Sequence, residues 1–227
     1  MLAGAPGGGK STVAVNWAWR AEVPCLYLAQ DRPLSVLARF VAVALNRSVA
    51  DISFDELEYW SSRMAELGKR EELVFEGGAQ TVQGLEHRIE ALKEWLGVPP
   101  HLVFVDNLFD LRSEGANYMD VGFYADVLPA VKQLAIESDV GIVLLHHVTR
   151  SGERGKKHGQ GTEPLTMTDL LFGGEKEAAH VWGVYRGLGN RQLNFQVLKQ
   201  GDGRADAGGG LSVPLTWQPE VGRLYGT

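Results

Sequence analysis

Strand-like apolar runs and amphipathic helical stretches alternate along most of the chain. After a glycine-rich opening, residues 11–21 (STVAVNWAWRA) read as a helix and 23–29 (VPCLYLA) as a strand. Residues 33–46 put Leu34, Leu37, Ala38, Val41, Ala42 and Leu45 at spacings of three and four, which predicts a helix led by Pro33. The acidic stretch 51–68 reads as further helix and 72–78 as a short strand. Residues 81–97 repeat the helical stripe through Leu85, Ile89, Leu92 and Leu96 and stop at Gly97. HLVFVD (101–106) and VGIVLLHH (140–147) are near-continuous apolar runs, as expected of strands buried on both faces. Between them 123–138 is helical in pattern, with Pro129 as a kink or a first-turn residue.

The last third changes character. Residues 150–168 are polar and glycine-rich, too long for an ordinary connection, and read as a functional or mobile loop. In 192–199 Leu193, Phe195 and Val197 alternate with Gln192, Asn194 and Gln196, and 211–217 alternates likewise. With the glycine-rich 201–210 between them, these two runs predict an antiparallel pair with one face wet. The expected fold is therefore α/β, a mainly parallel central sheet flanked by helices with an antiparallel C-terminal strand pair. No internal repeat or linker divides the sequence, so residues 1–227 read as a single domain.

Composition narrows the setting. A hydrophobic fraction of 44% is ample for a core, and a formal charge of −6 makes any nucleic-acid surface a local one. One cysteine, Cys25, has no partner for an internal disulfide and points to a reducing compartment. No apolar run reaches the roughly 18 residues of a membrane span, and no charged-then-apolar leader opens the chain, which reads as cytoplasmic. The six tryptophans, Trp17, Trp19, Trp60, Trp95, Trp182 and Trp217, fall on predicted helices or strands and read mostly as core.

The chemistry-bearing residues begin at GAPGGGKST, residues 4–12, which fits the phosphate-binding pattern GxxxxGK[ST]. Gly4, Gly7, Gly8 and Gly9 let backbone N–H groups wrap a phosphate chain at a helix N-terminus. Lys10 would neutralise the β and γ phosphates, with Ser11 a ligand of Mg²⁺ and Thr12 beside it. Asp106, at the carboxyl end of a buried strand, is the second half of such a site, the carboxylate that holds the metal. The paired His146 and His147 have no ligand-spaced Cys, His or carboxylate companions, so a structural pair is favoured over a zinc site.

The ordered set GAPGGGKS, CLYLAQDRPLSVLARF, HLVFVDNLFDL, VGIVLLHHVTR, DLLFGGEKEAAHVWGVYR and FQVLKQGDG resembles the RecA-like ATPase core of DnaB-type hexameric replicative helicases across nearly the whole chain. That resemblance implies ATP and Mg²⁺ as cofactors and a homo-oligomer, a hexameric ring or filament, acting on single-stranded or branched DNA. It implies a catalytic carboxylate just after the second strand, at Asp31, although the family's glutamate aligns nearer Gln30. It implies a γ-phosphate sensor at His147. A basic pair reaching the neighbouring subunit's nucleotide falls on Lys199, with Gly201 where an arginine is expected, Arg204 three residues on, and Arg186 as a further candidate. DNA contacts fall on the loop carrying Arg150, Arg154, Lys156 and Lys157, whose positive charge suits phosphates.

The expected activity is thus a DnaB-like, Mg·ATP-dependent helicase or translocase in replication or recombination, phage-encoded and acting in the host cytoplasm, without the N-terminal helical domain such helicases carry. A DNA-processing protein on the same core, including a metal-dependent nuclease, is the alternative; a small-molecule P-loop kinase is a second. Residues 1–3 are expected to pair as a strand stub beside the Asp106 strand or a neighbouring one.

Overall fold

The computed structural model describes residues 1–30, 32–68, 72–78, 81–111, 121–148, 161–170, 176–187, 189 and 191–226. The strands among them are β1 (Leu2–Gly4), β2 (Cys25–Ala29), β3 (Leu73–Gly77), β4 (Leu102–Asp106), β5 (Gly141–His147), β6 (Val181–Arg186), β7 (Gln192–Lys199), β8 (Ser212–Gln218) and β9 (Arg223–Gly226). The helices are α1 (Lys10–Arg20), α2 (Pro33–Leu45), α3 (Phe54–Ser61), α4 (Met64–Gly68), α5 (Val82–Leu96) and α6 (Val121–Glu137). The described residues fall in two compact units.

The unit of residues 14–144 and 220–222 carries the parallel order β3-β2-β4-β5, with Cys25–Ala29 paired residue for residue to Leu102–Asp106. All five residues of β2 are buried, which is why its sequence shows no polar alternation. Tyr27 lies face to face with Phe75 and Phe104, its ring centroid 6.3 Å and 5.6 Å from theirs, and Phe40 of α2 meets it edge-on at 5.0 Å. Each such ring contributes about 1.5–3 kcal/mol on burial, so this quartet is a large share of the unit's core.

Helix ends follow local chemistry. Thr81 caps α5 by accepting from the Gly84 N–H, and Gly97 closes it at φ 73°, a conformation that favours glycine. Ser53 and Glu56 form a reciprocal capping box on α3. The acidic stretch is therefore two short helices preceded by a 3₁₀ turn, not one long one. Pro129 sits inside α6, beyond its first turn. The α2 stripe is also displaced: Leu34 and Leu45 are 44% and 36% exposed, while Val36, Phe40 and Val43 are buried with the stripe's middle. Trp95 is 63% exposed, whereas the other five tryptophans are partly buried, Trp17 meeting the fully buried Phe104 edge-on at 5.7 Å.

The unit of residues 1–13, 145–219 and 223–227 carries the order β5-β1-β6-β7-β8-β9. β1 lies parallel between β5 and β6, and β6 to β9 are antiparallel. The N-terminal stub thus pairs with the neighbour of β4, the second of its two expected places. β6 and β9 flank the expected strand pair. The face of β7 expected to be wet is covered beyond its first residue: Gln192 is exposed, but Asn194 is only 7% exposed and Gln196 is fully buried. On the other face Leu193 is fully buried and Phe195 and Val197 are partly exposed. Segment 161–170 and turn 206–210 bond to Gln196 and remove its face from water.

Candidate functional site

The glycine-rich loop belongs to the unit of residues 1–13. Gly7 and Gly9 adopt φ 74° and 107°, which bulkier residues resist. A Cβ on Gly4 would stand 2.9 Å from both the Val184 carbonyl and Lys10 Cγ, so the loop can close on β6 only with glycine there. Gly8 N–H donates to the Ala5 carbonyl at 2.9 Å, and Val13 N–H to Gly9 at 2.9 Å, starting α1 directly from the loop. Thr12 is buried and Ser11 half-buried.

Lys10 is only 6% exposed, and a buried ammonium needs acceptors. It donates to the Gly4 and Ala5 carbonyls at 2.8 Å and 3.1 Å, and its Nζ lies 3.2 Å from His147 Nδ1. An ammonium has no lone pair, so Nδ1 accepts in this contact and the imidazole proton belongs on Nε2. Alternation along β5 separates the two histidines: His147 is half-buried beside Lys10, and His146 is fully buried. Such a loop, with a lysine and an imidazole converging at its mouth, is equipped to hold a polyanion.

The basic candidates separate. Arg186 ends β6; its N–H donates to the Gly161 carbonyl at 2.6 Å, and its guanidinium lies 5.4 Å from the Trp217 ring centroid. A Cβ on Gly7 would be 3.9 Å from Arg186 Nη2, which puts this arginine beside its own chain's loop. Register pairs Arg186 with Leu193 but Lys199 with Val181, so Lys199 lies at the far end of the β6–β7 pair from Arg186. There burial, and next the Lys199 charge, lower the pKa of the Met1 amine to about 5. The amine donates to the His180 carbonyl at 2.8 Å. Arg204 is exposed in the β7–β8 connection. Trp217 was not singled out from sequence as a functional residue; its alternating strand makes it look like any other packing aromatic.

The carboxylate candidate belongs to the other unit. Asp106 ends β4, is 8% exposed, and accepts from the Tyr27 hydroxyl at 2.9 Å. Burial, then the Asp106 charge, hold the Tyr27 phenol well above its usual pKa, so it remains a donor. The Gln30 N–H donates to the Asp106 carbonyl at 2.7 Å, which fixes the end of β2 against the end of β4. Tyr27 is the residue that sequence reasoning missed. Its only signal is a hydroxyl within a strand otherwise read as wholly apolar. Asp31 and the loop residues Arg150, Arg154, Lys156 and Lys157 lie outside the described residues. Among the described residues, no three His, Cys, Asp or Glu side chains gather as a metal cluster, and no helix is long and apolar enough to cross a membrane.

No protein-family model matches the chain. It is similar to the gene 65 protein of Mycobacterium phage L5, 21% identical over 221 residues, covering 92% of this chain and 78% of that one. Its similarity to the gene 65 protein of Mycobacterium phage D29 is 24% over 221 residues, covering 92% and 90%. Among solved structures, an ATPase domain superposes with TM-score 0.79 at 17% identity, covering all of this chain and 83% of that one. A DnaB-like replicative helicase, solved in a study of its interactions with primase, superposes with TM-score 0.75 at 18% identity. This chain covers 56% of it, and 98% of this chain is matched. The chain has the RecA-like fold of DnaB-like helicase ATPase domains.

Proposed function

We propose that this chain is a DnaB-like, Mg·ATP-dependent ATPase that binds single-stranded DNA and acts as a helicase or translocase in replication or recombination. The observation that carries the reading is the Lys10 ammonium, held at the mouth of a glycine loop by two carbonyls and by His147. The fold likeness supports it, and the likeness to mycobacteriophage proteins supports a phage-encoded protein working in a host cell.

In this reading the loop amides and Lys10 bind the β and γ phosphates, and His147 meets the γ-phosphate end. Ser11 and Asp106 offer a hydroxyl and a carboxylate, the hard oxygen donors that suit Mg²⁺. Magnesium, when bound, neutralises charge building on the transferred phosphoryl group. The Tyr27 hydroxyl keeps the Asp106 carboxylate oriented, and Asp31 or Gln30 orients the attacking water. Arg186 and the Trp217 face serve the nucleotide of their own chain, whereas Lys199, with Arg204, serves that of a neighbouring subunit in a ring or filament. Arg150, Arg154, Lys156 and Lys157 contact DNA phosphates, with the salt dependence that such contacts carry. Residues 1–227 act as a single ATPase domain.

The test is ATP hydrolysis with and without single-stranded DNA, in the parent and in Lys10→Ala, with strand-separation and nuclease assays and sizing in the presence of nucleotide. DNA-stimulated hydrolysis lost in Lys10→Ala is expected. Hydrolysis indifferent to DNA in a chain that stays monomeric would sink the motor reading, and Mg²⁺-dependent DNA cleavage surviving Lys10→Ala would put a nuclease in its place.

A further inference from the structure

Segment 161–170 touches the phosphate-binding loop at one end and the β7–β8 hairpin along its length. At Gly161, which adopts φ 66°, a Cβ would fall 2.9 Å from Gly8 Cα and 3.2 Å from Gly8 N. Backbone therefore rests on backbone, and the Arg186 N–H holds the Gly161 carbonyl in place at 2.6 Å. At its other end Leu170 pairs with Val148, the residue after His147. The segment thus braces the loop at Gly8 and finishes beside the residue that follows His147.

What keeps it there is Gln196. Its Oε1 accepts from the Leu165 N–H at 2.9 Å, and its Nε2 donates to the carbonyls of Gly209 at 2.6 Å and Leu165 at 3.3 Å. The side chain is fully buried, and Gly183 opposite leaves it room, since a Cβ there would meet Oε1 at 2.9 Å. Gly209 is presented by a turn that Asp206 closes, accepting from the Gly208 and Gly210 N–H groups at 2.8 Å each. The Ala207 carbonyl accepts from the Met167 N–H at 3.0 Å, so the same turn grips the segment a second time. A buried glutamine serving three backbone groups in two chain segments fixes their spacing. An apolar residue of the same size would leave all three without partners.

We infer that Gln196 is a positioning residue for the nucleotide site: it holds segment 161–170 so that Gly161 braces Gly8 and keeps the phosphate-binding amides in their receiving conformation. The inference rests on the nucleotide-binding reading and adds to it a distant residue that sets nucleotide affinity without touching nucleotide. Loosening the brace lets the loop relax before binding, which weakens affinity but leaves the bound geometry, and hence turnover at saturation, largely intact.

The experiment is calorimetric titration with Mg·ATP, together with steady-state hydrolysis and thermal melts, on the parent, Gln196→Met, Gln196→Glu and the exposed Asp206→Ala. Gln196→Met is expected to raise Kd about three- to tenfold, the worth of one hydrogen bond, with kcat at saturating ATP within about twofold. Asp206→Ala should shift Kd in the same direction by less, and because its side chain is at the surface it decides the matter if Gln196→Met fails to fold. Gln196→Glu places a carboxylate against two carbonyls, so its Kd relative to the parent at the same pH should recover as pH falls and the carboxyl becomes a donor. Kd equal to the parent's in Gln196→Met and Asp206→Ala, whatever happens to their melting temperatures, overturns the inference alone. A parent that does not bind Mg·ATP overturns the nucleotide reading and the inference with it.

Discussion

Lys10 and Asp106 are both charged, almost buried and central to the proposed chemistry, yet they are held in opposite ways. The carbonyls around Lys10 come from residues five and six positions away. The hydroxyl on Asp106 comes from Tyr27, 79 positions away across a parallel strand pair. One is supported mainly by its own loop's backbone, with His147 of β5 as a third contact, the other by a side chain inside an aromatic core. Local support leaves a mark in the sequence, because φ 74° and 107° and a 2.9 Å approach demand glycines at fixed offsets. Support from across a sheet leaves almost none.

The largest expected effect tests the loop side. Lys10→Ala removes the ammonium that would meet the phosphates and should cut hydrolysis about 10²- to 10³-fold, read as kcat/KM for ATP. The fold should survive, since the loop's glycines and the Gly8 to Ala5 hydrogen bond remain. Should Lys10→Ala unfold the chain instead, the contrast between the two supports breaks, because Lys10 would then be as structural as the tyrosine.

Tyr27→Phe tests the other side and should be smaller in rate and larger in stability. It leaves Asp106 with one buried donor fewer, a cost of about 1–3 kcal/mol in chemical denaturation, with a fall in hydrolysis that added Mg²⁺ partly restores. The phenol also gives a pH signature. An acid whose pKa is raised by folding stays protonated in the folded chain, while in the unfolded chain it ionises above about pH 10. The unfolded state then binds fewer protons, and folding stability must fall as pH rises past 10, by at most about 1.4 kcal/mol per unit for one group. Denaturation curves at pH 8 and pH 10.5 should show this extra loss in the parent and not in Tyr27→Phe. Burial raises the Tyr124 phenol as well, so absorbance of tyrosinate should count one more phenol resisting titration until unfolding in the parent than in Tyr27→Phe.

Legibility in the sequence follows the same division. The loop and the β4 and β5 runs are legible from local pattern. Strand alternation says only that His146 and His147 face opposite ways; the family resemblance, not the pattern, singles out His147, which lies 3.2 Å from Lys10 Nζ. Tyr27 did not show, because only the register of β2 on β4 brings it to Asp106. The burial of Asn194 and Gln196 on the polar face of β7 escapes the sequence for a related reason. Alternation says which residues share a face, but not that segment 161–170 will cover the polar one and make Gln196 interior. Trp95 alone among the six tryptophans stands out in water, because bulk and apolar character say nothing about which ring stays exposed.

The smallest expected effect sharpens the comparison by taking a local device away from either charged group. Ser53 accepts from the Glu56 N–H at 3.2 Å while a Glu56 carboxylate oxygen accepts from the Ser53 N–H at 3.0 Å, closing the first turn of α3 on itself. The hydrogen bond from the Ser53 backbone, first, and Arg47 next hold the Glu56 carboxyl below its usual pKa. An acid depressed in the folded state stabilises above its unfolded pKa, and that contribution is lost as pH falls through the folded value. Ser53→Ala should cost about 1 kcal/mol at neutral pH. Because alanine keeps the backbone N–H that holds the Glu56 carboxylate, both proteins should lose that contribution together in acid, and the difference between them should change little with pH. Because neither Lys10 nor Asp106 depends on this turn, ATP hydrolysis should be unchanged within about twofold. Lost hydrolysis in Ser53→Ala would mean that α3 communicates with the nucleotide site, and that the support of Asp106 extends well beyond the tyrosine.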